Sequence, residues 1–199
     1  MLRSLSGVVP LSVALLVSLA VIEGCDGRPG RISPPKVNPA TAAAEAMTMY
    51  DADKDGKIAG DEFTSCSSLK AIAKNGEATA DLIAAQVTTW QQSRVGRVTA
   101  SVVISHNGRP LPGASVKLIP EKFMGSDIPS YTATTNARGG TLISAPTKDP
   151  GEPQGISPGF YRLEITKDGE NIPAKYNTET TLCLAVLGDV LDRSINLAY

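Results

Sequence analysis

Histidine is almost missing from this chain, with His106 the single copy in 199 residues. Imidazole titrates near neutral pH and is the commonest metal ligand, so one copy leaves little for acid/base relays or for a zinc centre built on several histidines. Aromatic residues make up only 5% of the chain, too few for stacking platforms. Runs of Lys and Arg are also missing, and the formal net charge is -1. The chain therefore carries no electrostatic footprint for nucleic acid and no polybasic patch for an anionic membrane. Cysteine is scarce and odd in number, at Cys25, Cys66 and Cys183, which in an exported protein asks for a separate use of one of them. What is abundant is ordinary apolar material, 42% of residues, enough for one good core and a smaller module.

The N-terminus reads as an address. Met1-Leu2-Arg3 is followed by an apolar stretch rich in Val, Leu and Ala that ends at Ile22. Pro10 and the short apolar run fit a signal peptide over residues 1–24 rather than a membrane-spanning helix. The segment Leu19 to Cys25 resembles a bacterial lipobox, with branched Ile22 three before the cysteine and small Gly24 directly before it. That resemblance implies Cys25 as the first mature residue, lipidated through its sulfur and anchoring an extracytoplasmic protein to a membrane; a plain secretory signal with a free Cys25 is the alternative. Residues 26–39, DGRPGRISPPKVNP, carry four prolines and two glycines, which predicts a semi-rigid tether within residues 25–40.

From Thr41, placed to cap it, AAAEAMTMY predicts a helix with Ala43, Met47 and Tyr50 on one stripe. It runs into DADKDGKIAGDE, residues 51–62, which matches the EF-hand calcium loop over its whole length. Calcium takes about seven oxygen ligands in a flexible shell. Asp51, Asp53 and Asp55 supply carboxylates at loop positions one, three and five. Gly56 permits the sharp turn, the backbone carbonyl of Lys57 serves position seven, and Glu62 offers both oxygens at position twelve. Ala59, at position nine, leaves a vertex for water. Ile58 is expected to pair with a partner loop, and Phe63 to open the exit helix.

Residues 71–82 look like a worn second loop, with Asn75-Gly76 aligned to Asp55-Gly56 but Ala71, Ala73 and Leu82 where ligands belong. This loop should hold no ion and should pair through Ala78. A helix from near Thr79 then places Ile83, Val87 and Trp90 at helical spacing, toward the core. One competent hand with a degenerate mate suits the weak end of the calcium range, and the ion is expected to be a structural staple.

Beyond Gly96 the period becomes two. Val98, Ala100, Val102 and Ile104 face one way and Arg97, Thr99 and Ser101 the other, a half-buried strand. Asn107-Gly108 and Arg109-Pro110 predict a turn, with Ala114, Val116 and Leu118 on the return strand. Further strands are expected near 131–136, 141–145, 160–166, 180–186 and 192–198, in all an antiparallel sandwich. The ordered set Gly108-Arg109-Pro110-Leu111-Pro112-Gly113-Ala114, Thr134-Thr135-Asn136 before Gly139-Gly140, and Pro158-Gly159-Phe160-Tyr161 resembles the carboxypeptidase regulatory-like domains of the transthyretin-like group. The whole layout resembles lipoproteins of planctomycete-type bacteria. The resemblance implies an accessory module for folding or adhesion, without a catalytic centre. The loops at residues 146–158 and around Phe123 are mobile in composition and are candidate binding loops.

The hydrolase branch of the transthyretin-like group relies on several histidines and a Tyr-Arg-Gly-Ser ending. This chain has His106 in a turn and ends Asn196-Leu197-Ala198-Tyr199, which argues against that activity. Cys66 and Cys183 are expected as buried free thiols, or as a bridge between the two modules. The sequence thus predicts an α+β protein: a helical EF-hand module over 41–93, then a β-sandwich over 96–199 that binds envelope protein or glycan, or packs against copies of itself.

Overall fold

The computed structural model describes residues 32–147, 151–189 and 191–199; the expected signal segment and Cys25 lie outside them. The first helix, α1 (Pro39–Tyr50), starts earlier than Thr41 suggested. Asn38 is its cap, its side-chain oxygen accepting the Thr41 N–H at 3.0 Å, and Pro39 occupies the first turn. Proline belongs there because the N–H it lacks would be unpaired in any helix. Ala42, Ala43 and Ala46 are buried, so the small face of α1 brings its backbone close to α2 (Ala80–Ser93), which buries Ile83, Val87 and Trp90 as their spacing predicted. Thr79 caps α2 by accepting the Leu82 N–H at 3.4 Å.

Two three-residue strands join the helices: β1 (Lys57–Ala59) pairs antiparallel with β2 (Glu77–Thr79), with Ile58 opposite Ala78. Between them the exit helix expected at Phe63 is replaced by two short 3-10 helices, Gly60–Thr64 and Ser67–Ala71. The sequence accounts for the change. Phe63, Cys66 and Leu69 are all buried and recur every third residue, the period of a 3-10 rather than an α-helix. The serines at 65, 67 and 68 also compete for backbone hydrogen bonds.

The C-terminal half forms two sheets. In the first, β3 (Ala100–His106) is central: β10 (Leu191–Leu197) lies on one side, and β7 (Gly140–Ile143) with two-residue β4 (Arg109–Pro110) on the other. The second has the order β6 (Tyr131–Thr134), β5 (Ser115–Pro120), β8 (Gly159–Thr166), β9 (Cys183–Val186), all antiparallel. The segments expected to be strands are strands, within a few residues at each end. Two pairings differ from expectation. The last strand runs parallel to β3, Leu191 opposite Ala100 through Leu197 opposite His106, so the arrangement is not wholly antiparallel. The segment after the Asn107-Gly108 turn returns along β3 for only two residues, Arg109 and Pro110, before it crosses to the other sheet.

That crossing has a local cause. Asn107 and Gly108 adopt φ of 50° and 77°, the left-handed pair of a tight hairpin turn. Pro110 and Pro112, however, have no N–H to continue the ladder. Leu111 turns inward, and Thr135 fastens the crossover: its buried Oγ1 accepts the Ala114 N–H at 2.8 Å and donates to the Leu111 carbonyl at 2.6 Å.

The helices and sheets share one continuous hydrophobic core. Trp90 of α2 lies 5.2 Å from Phe160 of β8, Phe160 lies 5.7 Å from Phe123, and Phe123 meets Tyr50 of α1 edge-on at 6.1 Å. The segment around Phe123 is thus no mobile loop: a 3-10 turn, Lys122–Met124, buries both Phe123 and Met124. The expected loop at 146–158 is pinned at its far end, where buried Ile156 exchanges backbone hydrogen bonds with Val98 at 2.8 and 2.9 Å. The tether, too, ends docked. Val37 is buried and its carbonyl accepts a hydrogen bond from Gln91 Nε2. Gly96 has no room for a side chain, since a Cβ there would stand 2.2 Å from the Ile32 carbonyl oxygen.

Candidate functional sites: an acidic loop and a buried cysteine cluster

Residues 51–62 leave α1 and close on β1. Asp51, Asp53 and Asp55 each present a carboxylate oxygen, all within 4.8 Å of one another. Like charges do not gather without support, and backbone N–H groups give it. Asp51 accepts from Asp55 N at 3.2 Å and Gly56 N at 3.1 Å; Asp53 accepts from Asp55 N at 3.2 Å; Asp55 accepts from Lys57 N at 3.1 Å. Lys54 and Gly56 take φ of 59° and 89°, turning those N–H groups toward the carboxylates.

Glu62, seven residues beyond Asp55, folds back over the loop. Its Oε1 accepts the Ala52 N–H at 2.6 Å and its Oε2 the Ala59 N–H at 2.9 Å. The backbone donors at Ala59 and then Ala52 hold its carboxyl below the usual glutamate range. Lys57 sits at the start of β1; its ammonium bonds Glu77 Oε1 at 2.5 Å and lies 3.8 Å from Asp55 Oδ2. The sequence assigned its backbone carbonyl, and the strand fixes that backbone beside β2. The donor set is oxygen only and acidic, a composition that fits a hard divalent cation and would suit a soft one poorly.

The second loop is a tight turn. Lys74 and Glu77 exchange backbone bonds at 2.9 and 3.0 Å around Asn75 and Gly76, with φ of 54° and 81°. Ala71, Ala73 and Leu82 bring no oxygen there. Among the described residues, Asp51, Asp53 and Asp55 form the one such acidic cluster found.

Sequence reasoning missed Glu121, which joins Tyr50 to the two expected free thiols where the helical part meets β9. Glu121 is 1% exposed. Its Oε2 accepts the Tyr50 hydroxyl at 2.8 Å, and its Oε1 lies 3.6 Å from Cys183 Sγ. Burial pushes its carboxyl up, partly offset by the Tyr50 hydrogen bond and the charge of Arg162. Cys66 and Cys183 are free, and they are near enough for each to shift the other's thiol, Cys66 upward and Cys183 downward. A cavity of about 350 Å³ lined by Met49, Tyr50, Ser65, Glu121, Arg162 and Thr180 adjoins them. The one available signal was a glutamate set directly between an apolar strand and Phe123-Met124. His106, at the end of β3, is half-buried and stacks on Tyr199 at 4.0 Å, with Nδ1 3.4 Å from Glu170. It braces the end of the chain.

No helix among the described residues is long and apolar enough to cross a membrane. Compared with known proteins, the chain matches no protein-family model and no curated protein.

Proposed function

We propose that this chain is a calcium-binding extracytoplasmic protein, anchored to a membrane by lipid at Cys25, whose β-sandwich is a non-catalytic module for binding protein or glycan. The observation that carries the calcium assignment is the convergence of the Asp51, Asp53 and Asp55 oxygens within 4.8 Å in a loop that Glu62 closes. In this reading residues 51–62 are an EF-hand loop, and Ile58 opposite Ala78 is its strand contact with the degenerate mate. Asp51, Asp53, Asp55, the Lys57 carbonyl and Glu62 hold the ion, which supplies positive charge to a ring of carboxylates that otherwise repel. The loop connects α1 to the 3-10 segment, so calcium acts as a staple of the folded state.

The reading of the two sheets as a carboxypeptidase regulatory-like sandwich rests on their shared core and on the ordered turn motifs of the sequence. Calorimetric calcium titration of the full chain, set beside Glu62→Ala, tests the ion site. The parent should bind one calcium and the variant should lose at least about tenfold in affinity, consistent with loss of the bidentate ligand. Equal titrations, or none in the parent, would remove the assignment. Radiolabelled fatty-acid incorporation, abolished by Cys25→Ser, tests the anchor.

A further inference from the structure

Cys66 and Cys183 are 117 positions apart in sequence yet side by side in space. Cys66 caps the 3-10 helix Ser67–Ala71, which docks on β9 and on the segment leading to it, with Ser67 Oγ donating to the Thr181 carbonyl at 3.3 Å. The two sulfurs differ in setting. Cys66 is fully buried, its Sγ 3.3 Å from Ser68 Oγ. Cys183 is half-buried and lines a surface pocket of about 390 Å³ together with Ser67, Ser68, Lys70 and Arg193.

We propose that Cys66 and Cys183 are a dithiol pair that exchanges with small anionic disulfides and closes into an internal disulfide, fastening the 3-10 segment to β9. The pair divides the work by exposure. Cys183 faces the pocket, whose rim carries the cations of Lys70 and Arg193 and so favours a carboxylate-bearing reagent. Its neighbour Cys66 holds its thiol below the usual range, against the opposing effects of burial and of the Glu121 charge. That favours the thiolate, the attacking form. Cys66, its thiol raised by the neighbouring Cys183 and by burial, stays protonated behind it as the resolving thiol.

The chemistry balances in two steps. Cys183 thiolate attacks one sulfur of the reagent RSSR; the S–S bond breaks, RS⁻ departs and takes up a proton, and Cys183–S–SR forms. Cys66 then attacks the Cys183 sulfur, its proton passing to the adjoining Glu121 carboxylate and on to solvent, and the second RS⁻ leaves to be protonated. Two protein thiols are oxidised by two electrons and one disulfide is reduced to two thiols. The pair is independent of the calcium loop, so the two proposals fail separately.

The test is intact-mass analysis of the native full chain, with Cys25→Ser in every version to leave two thiols, after incubation with glutathione disulfide. The parent should lose the mass of two hydrogens. Adding Cys66→Ser should trap one glutathionyl group at Cys183. Adding Cys183→Ser should leave Cys66 at least about tenfold slower to react than Cys183 in the Cys66→Ser protein. A parent that keeps a stable glutathionyl adduct, or that reacts only after unfolding in urea, overturns the proposal. So does a Cys183→Ser protein that reacts as fast as Cys66→Ser. The parent measurement alters neither thiol of the pair and decides the matter even if a serine variant fails to fold.

Discussion

Replacing Phe160 by alanine tests whether the helices and sheets melt as one body. Phe160 is fully buried on β8, and its ring touches Trp90 of α2 and Phe123 beside Tyr50 of α1. Truncating a buried phenylalanine costs about 3–5 kcal/mol, divided between lost transfer energy and the cavity left in a close-packed core. The two ring pairs, each about 0.5–1.5 kcal/mol beyond area burial, favour the middle of that range or above. At roughly 4 kcal/mol, and about 3 °C per kcal/mol for a domain of this size, the midpoint should fall by roughly 12 °C. The single tryptophan, Trp90, reports from the helical side of the contact, while far-UV circular dichroism reports both halves. Both transitions should move together by the same amount. If Trp90 fluorescence keeps its original midpoint while the dichroism transition drops, the shared core is not a cooperative unit and the reasoning fails.

Two further outcomes follow from single positions. Burial raises the Glu121 carboxyl above its unfolded value, so the native state holds that proton more tightly than the unfolded chain. This contribution is fully present below the ordinary glutamate value of about 4.3 and is lost as pH rises through the raised native one. Chemical denaturation at a series of pH values should show that decline, and Glu121→Gln, which keeps an acceptor for Tyr50, should flatten it; an identical slope in the variant contradicts the assignment. Gly96→Ala would place a methyl carbon 2.2 Å from the Ile32 carbonyl oxygen, so the docked end of the tether must detach. Limited proteolysis should then cut near residues 32–37 several-fold faster than in the parent, and unchanged cleavage would show that the backbone yields elsewhere.

Much of this architecture is legible in the residues because local pattern and tertiary demand agree. Alternation from Val98 to Ile104 gave a strand whose inward residues are all buried, and the three-four spacing of Ile83, Val87 and Trp90 gave α2. The acidic cluster was equally readable, since its ligand spacing is a property of a contiguous stretch. What the pattern hid was decided by long-range neighbours. The parallel pairing of β10 with β3 joins residues about ninety positions apart, and no local signal specifies direction. The segment at Phe123 looked polar because Glu121 is a charged residue type; only the fold supplies Tyr50 and the cysteines that let it be buried. The exit helix failed for a local reason that was visible, a repeat of three through Phe63, Cys66 and Leu69, read too readily as the start of an α-helix.

The direction in which β10 lies beside β3 sets how the sheet answers a mechanical load. Tension entering at the N-terminal end of β3 and leaving at the C-terminal end of β10 pulls the two strands lengthwise past each other. Seven facing residue pairs, from Ala100 with Leu191 to His106 with Leu197, then resist together. An antiparallel partner pulled from the same ends would unzip rung by rung. A chain held at one end and gripped at the other would meet that pull with its whole ladder.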